Sequence, residues 1–134
     1  MNRWMRFTLA ILWMAVIFLL SHQTGERLGS LLPLFQRWVP AMRNFDWGHF
    51  VAYFVLGVTY YWALLPLSYR WQGKAAAVLM AGLYGVTDEI HQMYVAGRTP
   101  DIRDLRNDVI GASLAVLVMS APLVGRLLRK FVPR

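Results

Sequence analysis

The stretch WGHFVAYFVLGVTYYWALLPLSY, residues 47–69, decides the fold class because it contains no charged side chain. A helix needs about 20 mostly apolar residues to cross the roughly 30 Å hydrocarbon core of a bilayer. The composition of the whole chain agrees, since 57% of its residues are hydrophobic and 16% are charged, against roughly 45–50% and 25% in an average soluble domain. The sequence therefore predicts an all-α membrane protein.

Three further apolar stretches complete a set of four predicted transmembrane helices. In a single domain of residues 1–134, the predicted spans are residues 5–23, 47–68, 74–94 and 105–127. The first resembles a signal peptide, but no small-residue cleavage site follows it, so we expect it to remain as an anchored helix. The third must carry Asp88 and Glu89 near its end, because the uncharged residues 75–87 alone are too short to span.

The basic residues favour one orientation of these helices. With the N-terminus in the cytoplasm, the cytoplasmic segments carry only bases: Arg3, Arg6, Arg70, Lys74, Arg126, Arg129, Lys130 and Arg134. Because cytoplasmic segments of membrane proteins are enriched in Lys and Arg, the sequence predicts an antiparallel four-helix bundle with both termini cytoplasmic. This topology accounts for the net charge of +7 without a nucleic-acid partner. The absence of cysteine excludes disulfides, thiolate metal sites and cysteine nucleophiles.

Residues 26–45, between the first two spans, are too short and too polar to cross a bilayer. Their leucine and aromatic residues recur at helical spacing, which predicts a helical segment lying in the outer membrane interface. Ser30 is a candidate N-cap for this helix, which would place Pro33 in its first turn.

Ionisable residues inside predicted spans are costly and therefore indicate function. Asp46, His49 and Tyr53 fall at i, i+3 and i+7 at the start of the second span, so they share one helix face. The ordinary alternative is an interfacial belt, in which the helix dipole favours Asp46 and the two rings lie at headgroup depth.

A second polar group ends the third span and contains Asp88, Glu89, His91 and Gln92. The two adjacent carboxylates could share a proton or bind a divalent cation together with His91. As a zinc signal this is weak, because the two-histidine H-E-x-x-H spacing is lacking and His49 or His22 would have to complete the site. The alternative is a helix end that emerges into water.

The fourth span begins with a third polar group. Residues 97–100 predict a turn, and Asp101 is the expected helix start. Three aspartates then share a face at helical spacing, namely Asp101, Asp104 and Asp108. A solvated first turn explains the first two, but it does not explain Asn107 and Asp108 within the apolar run. Gly111 would allow close approach of another helix.

Ser21, His22 and Gln23 form the fourth polar group, at the end of the first span. In an antiparallel bundle the first and third helices end on the outer side, where the second and fourth begin. The four groups would then lie at similar depth, in one outward-facing polar pocket roofed by the interfacial segment.

These motifs resemble the pattern of the VanZ-like family: S-x-Q, then D-x-x-H-x-x-x-Y, D-E-x-H-Q, G-R and D-x-x-N-x-x-x-G. The pattern falls on Ser21, Gln23, Asp46, His49, Tyr53, Asp88, Glu89, His91, Gln92, Gly97, Arg98, Asp104, Asn107 and Gly111. One position departs, since members often have a lysine where this chain has Trp47. The family is named for a teicoplanin-resistance protein, so the resemblance implies a multi-pass protein of the bacterial cytoplasmic membrane and leaves a link to glycopeptide resistance open.

Two main classes of function are compatible with these residues, and a small transporter or proton relay is a third, for which four helices would have to oligomerise to enclose a pathway. The first is a hydrolase or transferase acting on a lipid-linked or cell-envelope substrate at the outer leaflet. Glu89 or Asp88 would be the general base, and His49 or His91 would be its acid partner or a metal ligand. Arg98 would bind a phosphate or carboxylate.

The second class is a non-catalytic membrane module that binds a lipid headgroup, a glycopeptide or a partner membrane protein. In either class the expected ligand-binding residues are Arg98, Gln92, Asp46, Tyr53, Asp104, Asn107, Ser21 and Gln23. The expected partners are membrane lipids and a lipid-linked envelope precursor, oligomerisation is left open, and a divalent metal is the candidate cofactor.

Overall fold

A computed structural model describes residues 3–38, 40, 46–128 and 130, apart from the side chains of Arg3 and Asp46. This part of the chain contains six α-helices and no strand, which confirms the predicted all-α class. The helices are α1 (Arg3–Ser21), α2 (Gly25–Gln36), α3 (Asp46–Ala63), α4 (Trp71–Gln92), α5 (Ile102–Met119) and α6 (Pro122–Leu128). A 3₁₀ turn, Leu67–Tyr69, joins α3 to α4.

One helix of the described residues is long and apolar enough to cross a membrane by itself. It is the segment Trp4–Ser21, which is nearly all of α1. The helices α5 and α6 meet the same criterion only as a pair, and they are bent by 75° at the break between them. The structure thus contains one or two clear span candidates, whereas four spans and the orientation of the termini stay predictions.

The predicted fourth helix, residues 105–127, is divided into two. Helix α5 ends at Met119 with Ser120 as its C-cap, and α6 begins at Pro122. Proline has no backbone N–H and disfavours the helical conformation of the preceding residue, whereas it suits the first position of a new helix. Pro122 therefore starts α6 in a new direction.

The helix predicted between the first two spans is present as α2, but its start differs from the prediction. Thr24 is the N-cap, since its hydroxyl accepts a hydrogen bond from the backbone N–H of Arg27 at 3.3 Å. Ser30 is not the cap, because it lies inside the helix and its hydroxyl donates to the carbonyl of Arg27. Pro33 consequently lies in the last turn and not in the first. Helix α2 buries none of its residues.

Helix α3 lies at the centre of the packing, where it contacts α5 most extensively and also contacts α1 and α4. A Cβ atom at Gly57 would lie 2.8 Å from the Cβ of Ala115, and one at Gly111 would collide with the carbonyl of Phe50. The predicted close approach at Gly111 is therefore confirmed. Because the two backbones meet over several turns, the first turns of α3 and α5 lie side by side.

Hydrogen bonds from aromatic side chains join α1 to the other helices. The indole N–H of Trp13 donates to the carbonyl of Ala52 at 2.8 Å, which links α1 to α3. The hydroxyl of Tyr84 in α4 donates to the carbonyl of Met14 at 2.6 Å. These bonds fix the middle of α1 relative to α3 and α4.

The connection between α4 and α5 packs against the junction of α1 and α2. Gly97 has a φ of +72°, the left-handed conformation that glycine adopts without strain. The turn here is closed by the N–H of Arg98 on the carbonyl of Val95, so it lies two residues earlier than the predicted 97–100. A Cβ at Gly25 would collide with the Gly97 carbonyl, and the Gly25 N–H donates to the carbonyl of Ala96. Asp101 caps α5 as predicted, since its carboxylate accepts from the N–H of Arg103 at 2.8 Å.

Candidate functional site

His49 is held between two aspartates of α5. Its Nδ1 lies 3.1 Å from Oδ1 of Asp108, and its Nε2 lies 3.8 Å from Oδ2 of Asp104. The Asp108 side chain is fully buried, whereas the side chains of His49 and Asp104 are 12% and 15% exposed. With Asp108 ionised, Nδ1–H donates to it, which leaves the lone pair of Nε2 directed towards the other side of the ring.

Packing of α3 on α5 explains why these side chains meet. His49 lies in the first turn of α3, and the two aspartates lie in the first two turns of α5. Gly111 brings the two helices together one turn further along. The positive end of the α5 dipole favours Asp104 at this position.

Glu89 reaches the same place from the end of α4. Its Oε2 accepts a hydrogen bond from the backbone N–H of Asp101 at 2.9 Å, and its Oε1 is buried without a hydrogen-bond partner among the described residues. One ligand atom from each of His49, Glu89 and Asp104 lies within 4.8 Å of the others. One imidazole and two carboxylates form a donor set suited to a divalent cation such as zinc or manganese.

Two further polar atoms are buried beside this group. The hydroxyl of Tyr53 and Oδ2 of Asp108 have no partner among the residues that the structure describes. The Tyr53 ring is stacked with His49 at 6.3 Å between centroids, and the residue is fully buried. An unsatisfied buried polar group costs about 1–3 kcal/mol, so these atoms require a further partner, which an ordered water or a ligand can supply. We call His49, Tyr53, Glu89, Asp104 and Asp108 the His49 cluster.

Gly85 leaves the space that Asp108 occupies against α4. A Cβ at Gly85 would lie 2.6 Å from Oδ2 of Asp108 and 3.0 Å from Cδ1 of Leu105. The bare backbone of α4 therefore forms one wall around the Asp108 carboxylate. This contact sets how deeply Asp108 lies in the core.

A second network surrounds Asp88, one residue before Glu89. Oδ2 of Asp88 accepts from the hydroxyl of Ser21 at 2.9 Å and from the side-chain amide of Gln92 at 3.2 Å. Nη2 of Arg98 donates to Oε1 of Gln92 at 2.8 Å. Asp88 also lies within electrostatic range of His49, so the two networks adjoin. We call Ser21, Asp88, Gln92 and Arg98 the Asp88 network.

The other two histidines form a separate pair. Nδ1 of His22 lies 3.2 Å from Nε2 of His91, and their rings are stacked at 5.3 Å between centroids. The ring of Phe18 is stacked with His91 at 4.3 Å. His91 is thus occupied with α1, and His49 is the histidine that lies beside Glu89.

The remaining predicted ligand-binding residues have contacts elsewhere. The side-chain amide of Gln23 donates to the Leu19 carbonyl at 2.8 Å, within its own helix end. The Asn107 side chain accepts from Arg106 at 3.5 Å. The side chain of Asp46 lies outside the described residues.

The sequence-based set of site residues omitted Asp108, which holds the ring of His49. Asp108 lies within the apolar run of α5, where exposure to water does not explain a carboxylate, and this was a signal of a role in the site. Assigning Asp108 to the site required knowledge that α3 packs against this face of α5. Sequence reasoning also did not anticipate that Asp88 and Glu89 take part in two different networks.

These observations define an all-helical protein with one or two apolar helices of membrane-spanning length and a buried histidine–carboxylate site. The VanZ/LLP1 family profile matches residues 7–125, which include both networks. The chain belongs to the VanZ/LLP1 family. Comparison with curated proteins and with solved structures finds no match.

Proposed function

We propose that this chain is a membrane-embedded, divalent-metal-dependent hydrolase or transferase, with His49, Glu89 and Asp104 as metal ligands. The observation that carries the proposal is the convergence of these three ligand atoms within 4.8 Å, with Asp108 on the other ring nitrogen of His49. Histidines that ligate metals in proteins commonly donate their second N–H to a carboxylate. Three protein ligands leave coordination positions for water and substrate.

The proposed chemistry assigns a task to each polar atom at the site. A bound divalent ion supplies Lewis-acid activation of water or of a substrate oxygen. Oε2 of Glu89 would hold the ion, and its Oε1, which has no hydrogen-bond partner among the described residues, would accept the proton of the attacking water. The buried hydroxyl of Tyr53 donates a hydrogen bond to the substrate group that gains negative charge.

Arg98 is the proposed anchor for the substrate. One of its guanidinium nitrogens donates to Gln92, and this bond orients the side chain through the Asp88 network. Its remaining N–H groups can bind a phosphate or carboxylate in bidentate geometry. We therefore propose a lipid-linked, phosphate-bearing substrate of the cell envelope.

We also propose the membrane arrangement that would present the site to such a substrate. Helices α1, α3, α4 and the α5–α6 pair would be four spans, with the clustered polar residues towards the outer leaflet. The His49 cluster lies where α3 and α5 begin and α4 ends, which we call the site end. The basic residues Arg6, Arg70, Lys74 and Arg126 lie at the opposite end, consistent with a cytoplasmic location.

Metal analysis of the purified protein tests the proposal. The full chain would be purified in mild detergent without chelator, supplied with zinc or manganese, desalted and measured by elemental mass spectrometry. We expect stoichiometric metal in the wild type and in His22→Gln, and loss of the metal in His49→Gln. His22 is a matched control because it is a histidine at the site end outside the cluster. An absence of bound metal from the wild type would refute the metal-dependent activity.

A second candidate is a binding module without chemistry, and the Asp88 network favours it. The carboxylate of Asp88 is satisfied by Ser21 and Gln92, as in a structural network that joins α1 to α4. Its ligand would be an anionic headgroup or a glycopeptide bound by Arg98. Glu89→Gln separates the two candidates, because an enzyme would lose turnover and retain affinity for its ligand, whereas a binding module would change little.

A further inference from the structure

A cavity of about 310 Å³ lies at the opposite end from the His49 cluster, lined by residues of α3, α4, α6 and the connections between the helices. Lys74 and Arg126 line it, together with the hydroxyl-bearing residues Tyr61, Tyr69 and Ser120. The oxygen of Ser120 is buried and has no hydrogen-bond partner among the described residues. The volume is at the lower limit of ligand pockets, which is roughly 300 Å³, so the cavity has room for a small polar headgroup.

The charges around this cavity are unbalanced. The seven acidic residues of the chain all lie away from this end. They occur in α2, at the start of α3, at the end of α4 and at the start of α5. Asp88 is the acidic residue nearest to Lys74 on α4, and at 1.5 Å per residue the two are about 21 Å apart. No acidic side chain of the described residues therefore lies near enough to neutralise Lys74 and Arg126.

Arg6, another base at this end, is directed into the protein. Arg6 is buried, and its Nη1 donates to the carbonyl of Leu65 at 2.8 Å. Lys74 is only partly buried and Arg126 is exposed, so an anion from outside can reach both. Two cations with hydroxyl donors between them match the three to four oxygens of a phosphate group.

We propose that this cavity is an anion site that binds a phosphate group, either of a lipid headgroup or free in solution. The ammonium of Lys74 and the guanidinium of Arg126 neutralise the phosphate, and the Ser120 hydroxyl donates a hydrogen bond to it. Basic pockets between transmembrane helices are known to bind anionic headgroups on the cytoplasmic side. This site is independent of the proposed metal centre, because it shares no residue with the His49 cluster.

The bend at Ser120 and Ala121 has a role in this site. It turns α6 by 75° from the direction of α5, and both Ser120 and Arg126 thereby line the same cavity as Lys74 of α4. A straight helix would carry Arg126 further along the α5 axis, away from Ser120. The break that divides the predicted fourth span therefore creates the binding site.

Native mass spectrometry of the full chain tests the proposal. The protein would be reconstituted in phosphatidylcholine nanodiscs containing phosphatidylglycerol, and lipid that remains bound after release would be counted. A parallel titration in detergent would use inorganic phosphate. We expect retained phosphatidylglycerol, with affinity reduced about tenfold in Lys74→Gln and in Arg126→Gln, as for the loss of one charge-assisted hydrogen bond. Ser120→Ala should weaken binding by a smaller factor.

Arg70→Gln is the matched control, because Arg70 is an exposed base at the same end that does not line the cavity. Its binding should equal that of the wild type. Phosphatidylglycerol binding without phosphate binding would assign the site to a lipid headgroup, and phosphate binding without retained phosphatidylglycerol would assign it to the free anion. Binding of both would assign it to the phosphate group that the two share. Binding of neither, or equal losses in Arg70→Gln and Lys74→Gln, would overturn the proposal. Helical circular dichroism verifies that each variant is folded.

Discussion

The imidazole of His49 and the carboxylate of Asp108 form a buried pair, with Nδ1 3.1 Å from Oδ1 and the Asp108 side chain fully enclosed. The pair connects the start of α3 to the second turn of α5. It also fixes the plane of the imidazole, so that Nε2 is directed towards Asp104 and Glu89. Asp108 is therefore a positioning residue for His49.

Asp108→Asn should weaken metal binding while it preserves the shape of the side chain. Loss of a carboxylate that orients a ligating histidine typically lowers metal affinity by about 10–100-fold. Competition with a chromophoric chelator in detergent would measure the change. Asp101→Asn is the control, since asparagine also caps helices and the Asp101 side chain bonds only to the N–H of Arg103 in the described contacts. Equal affinity in both variants would exclude an orienting role for Asp108.

Gly85→Ala should destabilise the fold and displace Asp108. The new Cβ would lie 2.6 Å from Oδ2 of Asp108, and overpacking of this kind costs about 1–3 kcal/mol. Gly82→Ala, one turn earlier on α4, is the matched control, because its Cβ would meet only Cγ2 of Val109 at 3.4 Å. Thermal unfolding in detergent should show a lower midpoint for Gly85→Ala and an unchanged or higher one for Gly82→Ala. The opposite order would contradict the packing of Asp108 against α4.

Ser21→Ala should destabilise the contact between α1 and α4. It removes the hydrogen bond to the buried Asp88 carboxylate and leaves a desolvated oxygen less satisfied, at a cost of about 1–3 kcal/mol. Ser30→Ala removes a hydroxyl that donates to a backbone carbonyl on an exposed helix, and it should change stability by less than about 0.5 kcal/mol. Chemical denaturation of the two variants beside the wild type would compare them, and equal stabilities would argue against the network.

Cysteine labelling should place α2 and the α3–α4 connection on opposite sides of the membrane. The chain has no cysteine, so Arg27→Cys and Arg70→Cys each introduce a single exposed thiol. In intact cells a membrane-impermeant maleimide should label Arg27→Cys alone, and permeabilised cells should show labelling of both. Labelling of Arg70→Cys in intact cells would reverse the proposed orientation, and labelling of both would refute the four-span arrangement.

Several local features followed from the sequence because each depends on neighbouring residues. The all-helical class follows from long apolar stretches, the turn at Gly97 from the conformational freedom of glycine, and the start of α5 from the capping preference of Asp101. The close approach at Gly111 was also predictable, since a small residue on a helix face permits backbone contact. The family match agrees with a motif pattern that extends over most of the chain.

Other features depended on how the helices pack, and the sequence alone left them open. Helix α2 begins after Thr24, where Gly25 meets Gly97, a contact between residues far apart in the chain. The bend before Pro122 directs α6 towards α4, and only this direction brings Arg126 and Lys74 to one cavity.

Asp88 and Glu89 show most clearly why the contacts of the site did not follow from the sequence. Sequence placed the two carboxylates side by side near the end of one helix, and consecutive helical residues point about 100° apart. Their partners are therefore on different helices, with Ser21 of α1 beside Asp88 and the backbone of Asp101 beside Glu89. Periodicity determines which face of a helix carries a group, whereas tertiary packing alone determines which group lies opposite that face.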